Sequence, residues 1–233
     1  MRDLRDWKGC LPPKRQERKG RFVTLEPFDP ARHLEELWIA LGGKDGINER
    51  LRYFPCPDFA DAAELGTWLV QAQDGWVTFV FRDNAAAELT GMASYMRIDP
   101  GNGVVEVGSV AHGLAMARSP AATEVHYLMA RHIFDDLGYR RYEWKCHNDN
   151  AASKRTAERL GFVFEGIFRQ HVVSKGANRD TAWFAMIDTE WPIIRSAMEQ
   201  WLAPGNFDAD GRQIERLEII RARQIAPQTE KAI

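Results

Sequence analysis

Apolar and polar positions change period several times along the chain, and each change marks an element. Phe22-Val23-Thr24-Leu25-Glu26-Pro27 reads as a strand that stops at its proline. Asp29 and Pro30 then supply an N-cap and an N1 residue for a helix striped by Leu34, Leu37, Trp38 and Leu41, ended by Gly42-Gly43. Residues 50–59 read as irregular around Pro55 and Pro57, and Asp61-Ala62-Ala63-Glu64 has the form of a capping box ahead of Leu65, Trp68, Leu69 and Ala72. Strand-like runs at 76–81, 89–98 and 104–110, separated by polar turns, predict an antiparallel meander.

From Pro120 the period becomes helical through Val125, Leu128, Met129, Ile133, Phe134 and Leu137, up to Gly138. A strand at 141–146, a short helix at 151–160 closed by Gly161, strands at 162–173 and 180–187, and an amphipathic helix at 191–201 follow. The expected order is strand, two helices, three strands, helix, strand, short helix, two strands. That is an α/β (α+β) domain with a mixed central sheet of about seven strands flanked by helices. Residues 1–20 are expected to form an extended arm, 21–195 the domain, and 196–233 a helical extension and tail, with a helix at 213–225.

Composition narrows the classes. At 233 residues and 45% hydrophobic, the chain can bury a core without disulfides or metals. A formal net charge of -2, from 31 basic and 33 acidic side chains, supplies no field for nucleic acid and favours neither a cationic nor an anionic acceptor. Cys10, Cys56 and Cys146 are scattered, with no disulfide or zinc spacing. The charged N-terminus has no apolar signal region and no run reaches membrane-spanning length, so a cytoplasmic protein without membrane or nucleic-acid partners is the expectation. The apolar faces at Trp191, Ile194, Met198 and Trp201, and at Ile214, Leu217 and Ile220, predict either cover for the domain or a homodimer.

Candidate chemistry lies in the second half. Arg118-Ser119-Pro120-Ala121-Ala122-Thr123 is a small-residue turn opening a helix, where backbone N–H groups and the positive dipole end suit a phosphate. Downstream, Asn150 can cap a short helix with Ser153 three residues on, and Leu160-Gly161-Phe162 closes it. On these residues the stretch 106–168 resembles the GCN5-related N-acetyltransferases, particularly the branch of ribosomal-protein N-terminal acetyltransferases. The family's Arg/Gln-x-x-Gly-x-Gly/Ala loop falls on Arg118–Thr123, and its Asn-x-x-Ser and Leu-Gly-Phe motifs fall on Asn150–Ser153 and Leu160–Phe162. Two departures stand out: Ala121 and Thr123 replace both loop glycines, and the tyrosine many relatives use as general acid falls at Ala157.

The resemblance implies acetyl-coenzyme A as acyl donor, with no metal, held by Arg118, Ser119, Ala121, Ala122, Thr123, Asn150 and Ser153. It implies direct acetyl transfer to a primary amine of a small molecule or of a peptide or protein N-terminus. Glu106 is the first candidate base, directly or through water, with His112 as rival; the plain alternatives are a solvent-facing strand carboxylate and an exposed turn histidine. Ser153 is the candidate for the leaving thiol, or else a helix brace, and Cys146 reads as a buried, inert thiol. Trp38, Tyr53, Phe54 and Trp183, with Trp68, are candidate acceptor-site residues. The replaced glycines and absent tyrosine also admit a noncatalytic acyl-coenzyme-A-binding or interaction module, or transfer of a longer acyl group.

Overall fold

The computed structural model describes residues 3–117 and 119–225. Its strands are β1 Arg18–Lys19, β2 Val23–Pro27, β3 Val77–Asp83, β4 Leu89–Asp99, β5 Val104–His112, β6 Arg141–His147, β7 Val163–Ser174 and β8 Ala177–Ile187. The helices are α1 Pro30–Ala40, α2 Gly43–Arg50, α3 Ala62–Ala72, α4 Pro120–Arg131, α5 Ala151–Leu160, α6 Trp191–Leu202 and α7 Leu217–Ile225. The strands form one mixed sheet in the order β1-β2-β3-β4-β5-β6-β8-β7. Neighbours are antiparallel except β5 and β6, which run parallel because α4 carries the chain back between them.

Alternation along the central strands sorts the core into two layers. Phe79, Phe81, Ala93 and Tyr95 face one side, where α4 and α6 add Val125, Met129, Ala197 and Trp201, and the turn after α4 adds Ile133. Val80 and Met92, on intervening positions, face the other side with Leu37 of α1 and its C-cap Leu41, Ile47 of α2, and Leu65 and Leu69 of α3. Trp191, Met198, Leu217 and Ile220 of the C-terminal segment are buried in the first layer.

The caps form where the sequence places them. Asp29 accepts from the Ala31 N–H, Asp61 from Glu64 and Asn150 from Ser153, each at 3.0 Å. Gly161 closes α5 at φ 104, a left-handed conformation costly for any residue with a Cβ. Three expectations need correction. The Gly42-Gly43 stop is followed at once by α2, whose sequence GKDGINER carries two glycines and no apolar stripe; of its side chains Ile47 alone is buried. The arm contributes β1 through two residues paired with β2. The helix from Pro120 passes into a π turn at His132–Asp136 before Gly138.

One buried carboxylate ties the start of the sheet to α4. Glu124 accepts from the backbone N–H groups of Arg21 at 2.8 Å, Phe22 at 2.6 Å and Val23 at 3.0 Å. Gly20 lets the chain pass, since a Cβ there would stand 2.5 Å from that carboxylate. Removing the acceptor strands three donors, each worth roughly 1–3 kcal/mol when buried and unpaired. Glu124→Ala should therefore cost about 3 kcal/mol or more in urea unfolding. A loss under about 0.5 kcal/mol, the scale of an ordinary surface change, would show that the tie is dispensable.

Candidate active site

The site begins where β5 and β6 separate. Their register runs from Val104 opposite Arg141 to Val107 opposite Trp144, while both strands continue, β5 to His112 and β6 to His147. Beyond that point β6 follows β8 as far as His147 opposite Thr181, and β5 follows β4. A bulge bends β5 away: Met92 pairs with Ala111 and Ser94 with Gly108, so Ser109 and Val110 face Ala93 alone. Ser109 sits at φ 51, strained for a non-glycine residue. A cleft of about 670 Å³ fills the gap, lined by Gly108–His112 of β5, Trp144–His147 of β6, and Asn150 and Ser153 of α5. Ser109 Oγ and His112 Nε2 are buried there without a hydrogen-bond partner among the described residues. Buried polar atoms of that kind are ordinarily satisfied, so these suit a bound ligand.

Below the gap lies an ionic layer. Glu106 and Glu143 are register partners, and like charges directly opposite repel. Lys145 bridges them, its Nζ 2.9 Å from Glu106 and 2.8 Å from Glu143. Arg97, itself at φ 45, adds a contact to Glu106 at 3.2 Å, and Arg141 pairs with Glu143 at 2.7 Å. Burial pushes the Glu106 carboxyl above the ordinary glutamate value, with Lys145 and Arg97 opposing that rise. Lys145 also stands 3.7 Å over the Trp183 ring, which packs at a tilt against Phe168. Tyr53 and Phe54 form the wall contributed by the α2–α3 loop. An exposed ion pair, Lys175 to Asp58 at 2.6 Å, joins that loop to the β7–β8 turn.

A second cavity of about 670 Å³ opens at the N-terminus of α4 and shares His112 and Thr156 with the first. Unlike α1, α3 and α5, α4 has no side-chain cap; the Ser119 hydroxyl instead donates to the Met116 carbonyl. Ser119, Ala122 and Thr123 line this cavity, facing Arg159, Trp201 and the segment Phe207 to Gln213. Arg159 donates to the Thr123 hydroxyl at 3.0 Å and lies over the Trp201 ring. No carboxylate forms an ion pair with it among the described residues, and burial lowers its pKa, opposed from a distance by Glu218.

The residues singled out in the sequence separate by place. Glu106, His112, Tyr53, Phe54, Asn150 and Ser153 meet on the first cleft; Ser119, Ala122 and Thr123 line the second cavity. Glu106 is buried and His112 half-buried, neither an exposed surface group, because β5 is a central strand. The side chain of Ala121 turns into the core, Trp38 and Trp68 pack among the helices, and Trp183 lies beneath Lys145. Arg118 lies outside the described residues. Ser153 braces the helix and accepts from Trp144 Nε1 at 2.9 Å. Burial pushes the Cys146 thiol up, as expected of an inert cysteine. Arg97, Lys145, Arg159, Arg179 and His171 escaped sequence reading. Only the alternation Arg141, Glu143, Lys145 against Tyr142, Trp144, Cys146 signalled a charged face on a central strand.

This geometry, a mixed sheet parted between two parallel strands beside a helix N-terminus, defines the acyl-coenzyme-A N-acyltransferase fold. A family described as the acetyltransferase (GNAT) domain matches residues 23–163, more than half of the chain. A GCN5-related N-acetyltransferase from Brucella melitensis is 46% identical with a TM-score of 0.90, over 94% of this chain and 100% of its own. A probable GNAT-family acetyltransferase from Chromobacterium violaceum ATCC 12472 is 34% identical with a TM-score of 0.76, over 82% of this chain and 96% of its own. A putative ribosomal-protein-serine acetyltransferase from Vibrio cholerae, 17% identical with a TM-score of 0.61, over 74% of this chain and 97% of its own, shares the fold. No curated protein matches. The chain belongs to the GNAT family of acetyltransferases; the ribosomal-protein branch is not established by these likenesses. Acetyl-coenzyme A binding and acyl transfer are consistent with that fold. Among the described residues, no three His, Cys, Asp or Glu side chains converge as a metal site.

His112 and His126 stand between the cavities with ring centroids 5.6 Å apart. Burial holds both neutral, lowering His112 to about 4 and His126 well below its ordinary 6.5. The unfolded chain therefore takes up protons between these values that the folded chain refuses, and stability falls as pH drops through that window. The His112 shift alone corresponds to roughly 3 kcal/mol. Urea unfolding between about pH 7 and pH 5 should show this decline, and His126→Leu should flatten it. An unchanged slope in that variant would place the sensitivity elsewhere.

Proposed function

We propose that the protein transfers an acetyl group from acetyl-coenzyme A to a primary amine of a small molecule or of a peptide or protein N-terminus. The observation that carries this reading is the parting of β5 and β6: it opens backbone at Ser109–His112 next to a buried carboxylate, and the cleft continues to the uncapped end of α4. The amides of Ala122 and Thr123 and the Arg159 guanidinium would hold the pyrophosphate, Arg159 supplying attraction where the loop lacks glycines. Asn150, Ser153 and the β5 edge would hold the arm that ends in the thiol. Acetyl-coenzyme A supplies the activated thioester.

Glu106 takes the proton lost as the acceptor nitrogen bonds to the acyl carbon, and its raised pKa makes it a better base than an exposed glutamate. Lys145 and Arg97 fix its orientation. Trp144 donates to the Ser153 oxygen and the Ser153 hydroxyl is hydrogen-bonded to the Cys146 thiol; turned from that thiol, it would hydrogen-bond to the coenzyme sulfur as the carbon–sulfur bond breaks. His112, neutral at physiological pH, adds no charge to the passage.

Two measurements test the reading: calorimetric binding of acetyl-coenzyme A, and thiol release across amines and peptides. Arg159→Ala should weaken acetyl-coenzyme A binding about tenfold, near 1.4 kcal/mol. Glu106→Gln should lower kcat about 100-fold while leaving that affinity within about twofold. The acid limb of the wild-type profile should lie above the ordinary glutamate value of 4.5 and vanish in Glu106→Gln. Binding without turnover on a broad panel would leave an acyl-coenzyme-A-binding module, and failure to bind would refute both.

A further inference from the structure

The cleft is cationic although the chain is not. Its charged lining pairs internally at Arg52 with Glu49, and at Lys145 and Arg97 with Glu106. Arg50 is spent on the carbonyls of Gly46 and His112. Arg179, at the start of β8, remains: among the described residues no carboxylate forms an ion pair with it, Glu106 acting on it only from a distance, and its Nε is buried without a partner. We propose that the acceptor amine carries an oxyanion, a carboxylate or a phosphate, which Arg179 binds. This inference rests on the acetyl-transfer reading above.

Four observations converge on it. Arg179 is half-buried, and desolvating a guanidinium without a paired carboxylate is costly; burial is the main cause of its lowered pKa, with Glu106 opposing it from a distance. Such a group persists most readily where a ligand completes it. The Arg179 Nε is buried without a partner, a donor that buried polar groups ordinarily satisfy, and a guanidinium is suited to an oxyanion. Arg97 and Lys145 lie within electrostatic reach of His171, as Arg179 does, and together they hold that imidazole below its ordinary value beyond what burial does. The group beside them thus adds no charge of its own near neutrality, and it is anchored by the Thr181 hydroxyl at 3.0 Å. Finally, Glu106 also falls within reach of Arg179. One small molecule can therefore place its anion on Arg179 and its nitrogen near the proposed base.

The near-zero net charge of the chain carries no sign of this preference. The balance is global, and the counter-charges that produce it lie outside the cleft or are already paired within it.

The test uses matched acceptors with acetyl-coenzyme A: glycine against glycinamide, and phosphoethanolamine against ethanolamine. The anionic member of at least one pair should be preferred about tenfold or more in kcat/KM, a margin ordinary for a charge-assisted pair; which pair shows it distinguishes carboxylate from phosphate. Arg179→Gln should erase the preference mainly through KM for the anionic member, and Arg179→Lys should restore part of it. Equal or reversed preference, or a preference that survives Arg179→Gln, would overturn the inference while acetyl transfer stands. If none of these amines turns over, calorimetry with inorganic phosphate in the presence of saturating coenzyme A decides. Saturable binding lost in Arg179→Gln supports the anion site even as transfer to these amines fails, and absence of binding overturns it.

Discussion

Four residue pairs, from Val104 with Arg141 to Val107 with Trp144, join the two halves of the sheet, and the site depends on where that pairing stops. Each half is otherwise held by its own antiparallel ladder, β5 to β4 and β6 to β8. The separation costs no unpaired strand interior on those sides, because each strand keeps one partner after losing the other. What is exposed is the inner edge of β5, at the bulge where Ser109 adopts a strained positive φ. A ligand can reach backbone there without disturbing either half. The helix N-terminus at α4 follows β5 in sequence, so the same connection that makes the strands parallel also brings uncapped amides to the adjoining cavity.

Most of the architecture was legible because local signals agreed with the global fold. Asp29, Asp61 and Asn150 cap the helices they announce, Gly161 ends α5, and the three-strand meander lies in sequence order in the sheet. The short helix α2 escaped notice since it is held through Ile47 and its neighbours and not through a stripe of its own. The site was legible in its sequence-local parts: Asn150 and Ser153 are three residues apart and hydrogen-bonded to each other. Its charged parts were not. Arg97, Lys145 and Arg179 sit on β4, β6 and β8 and come together only through register, which requires knowing that β6 pairs with β8 across the skipped β7. Arg159 was hidden for a similar reason: on the helix it is one polar residue among several, and its meaning comes from Thr123, 36 positions earlier.

The missing loop glycines and the unpaired Arg159 are connected. Glycine at such a turn allows close approach of a phosphate to backbone amides, so attraction is distributed over several N–H donors. Thr123 occupies that space with a side chain, yet its hydroxyl is turned to accept from Arg159 and its ring of neighbours is closed by Trp201 and Phe207. The C-terminal segment thus helps shape the second cavity. Arg221 reinforces the arrangement by donating to the carbonyls of Glu158 and Arg159 at the end of α5, fixing the helix that carries the guanidinium.

In the ionic layer beneath the gap, the atoms that hold the strands together are those of the proposed base. Two carboxylates on adjacent central strands would repel at the last rungs before the strands part, and Lys145 is buried between them to prevent it. Breaking such a network by removing its cation leaves uncompensated buried charge, a larger loss than the network's own net contribution. That same burial raises the Glu106 pKa, while the two cations keep the rise in check. A carboxylate without them would be held protonated and idle; a carboxylate with them in open solvent would be too weak a base. Replacing Glu106 by glutamine relieves the repulsion with Glu143 and keeps an acceptor for Lys145, so its effect on turnover can be separated from an effect on folding.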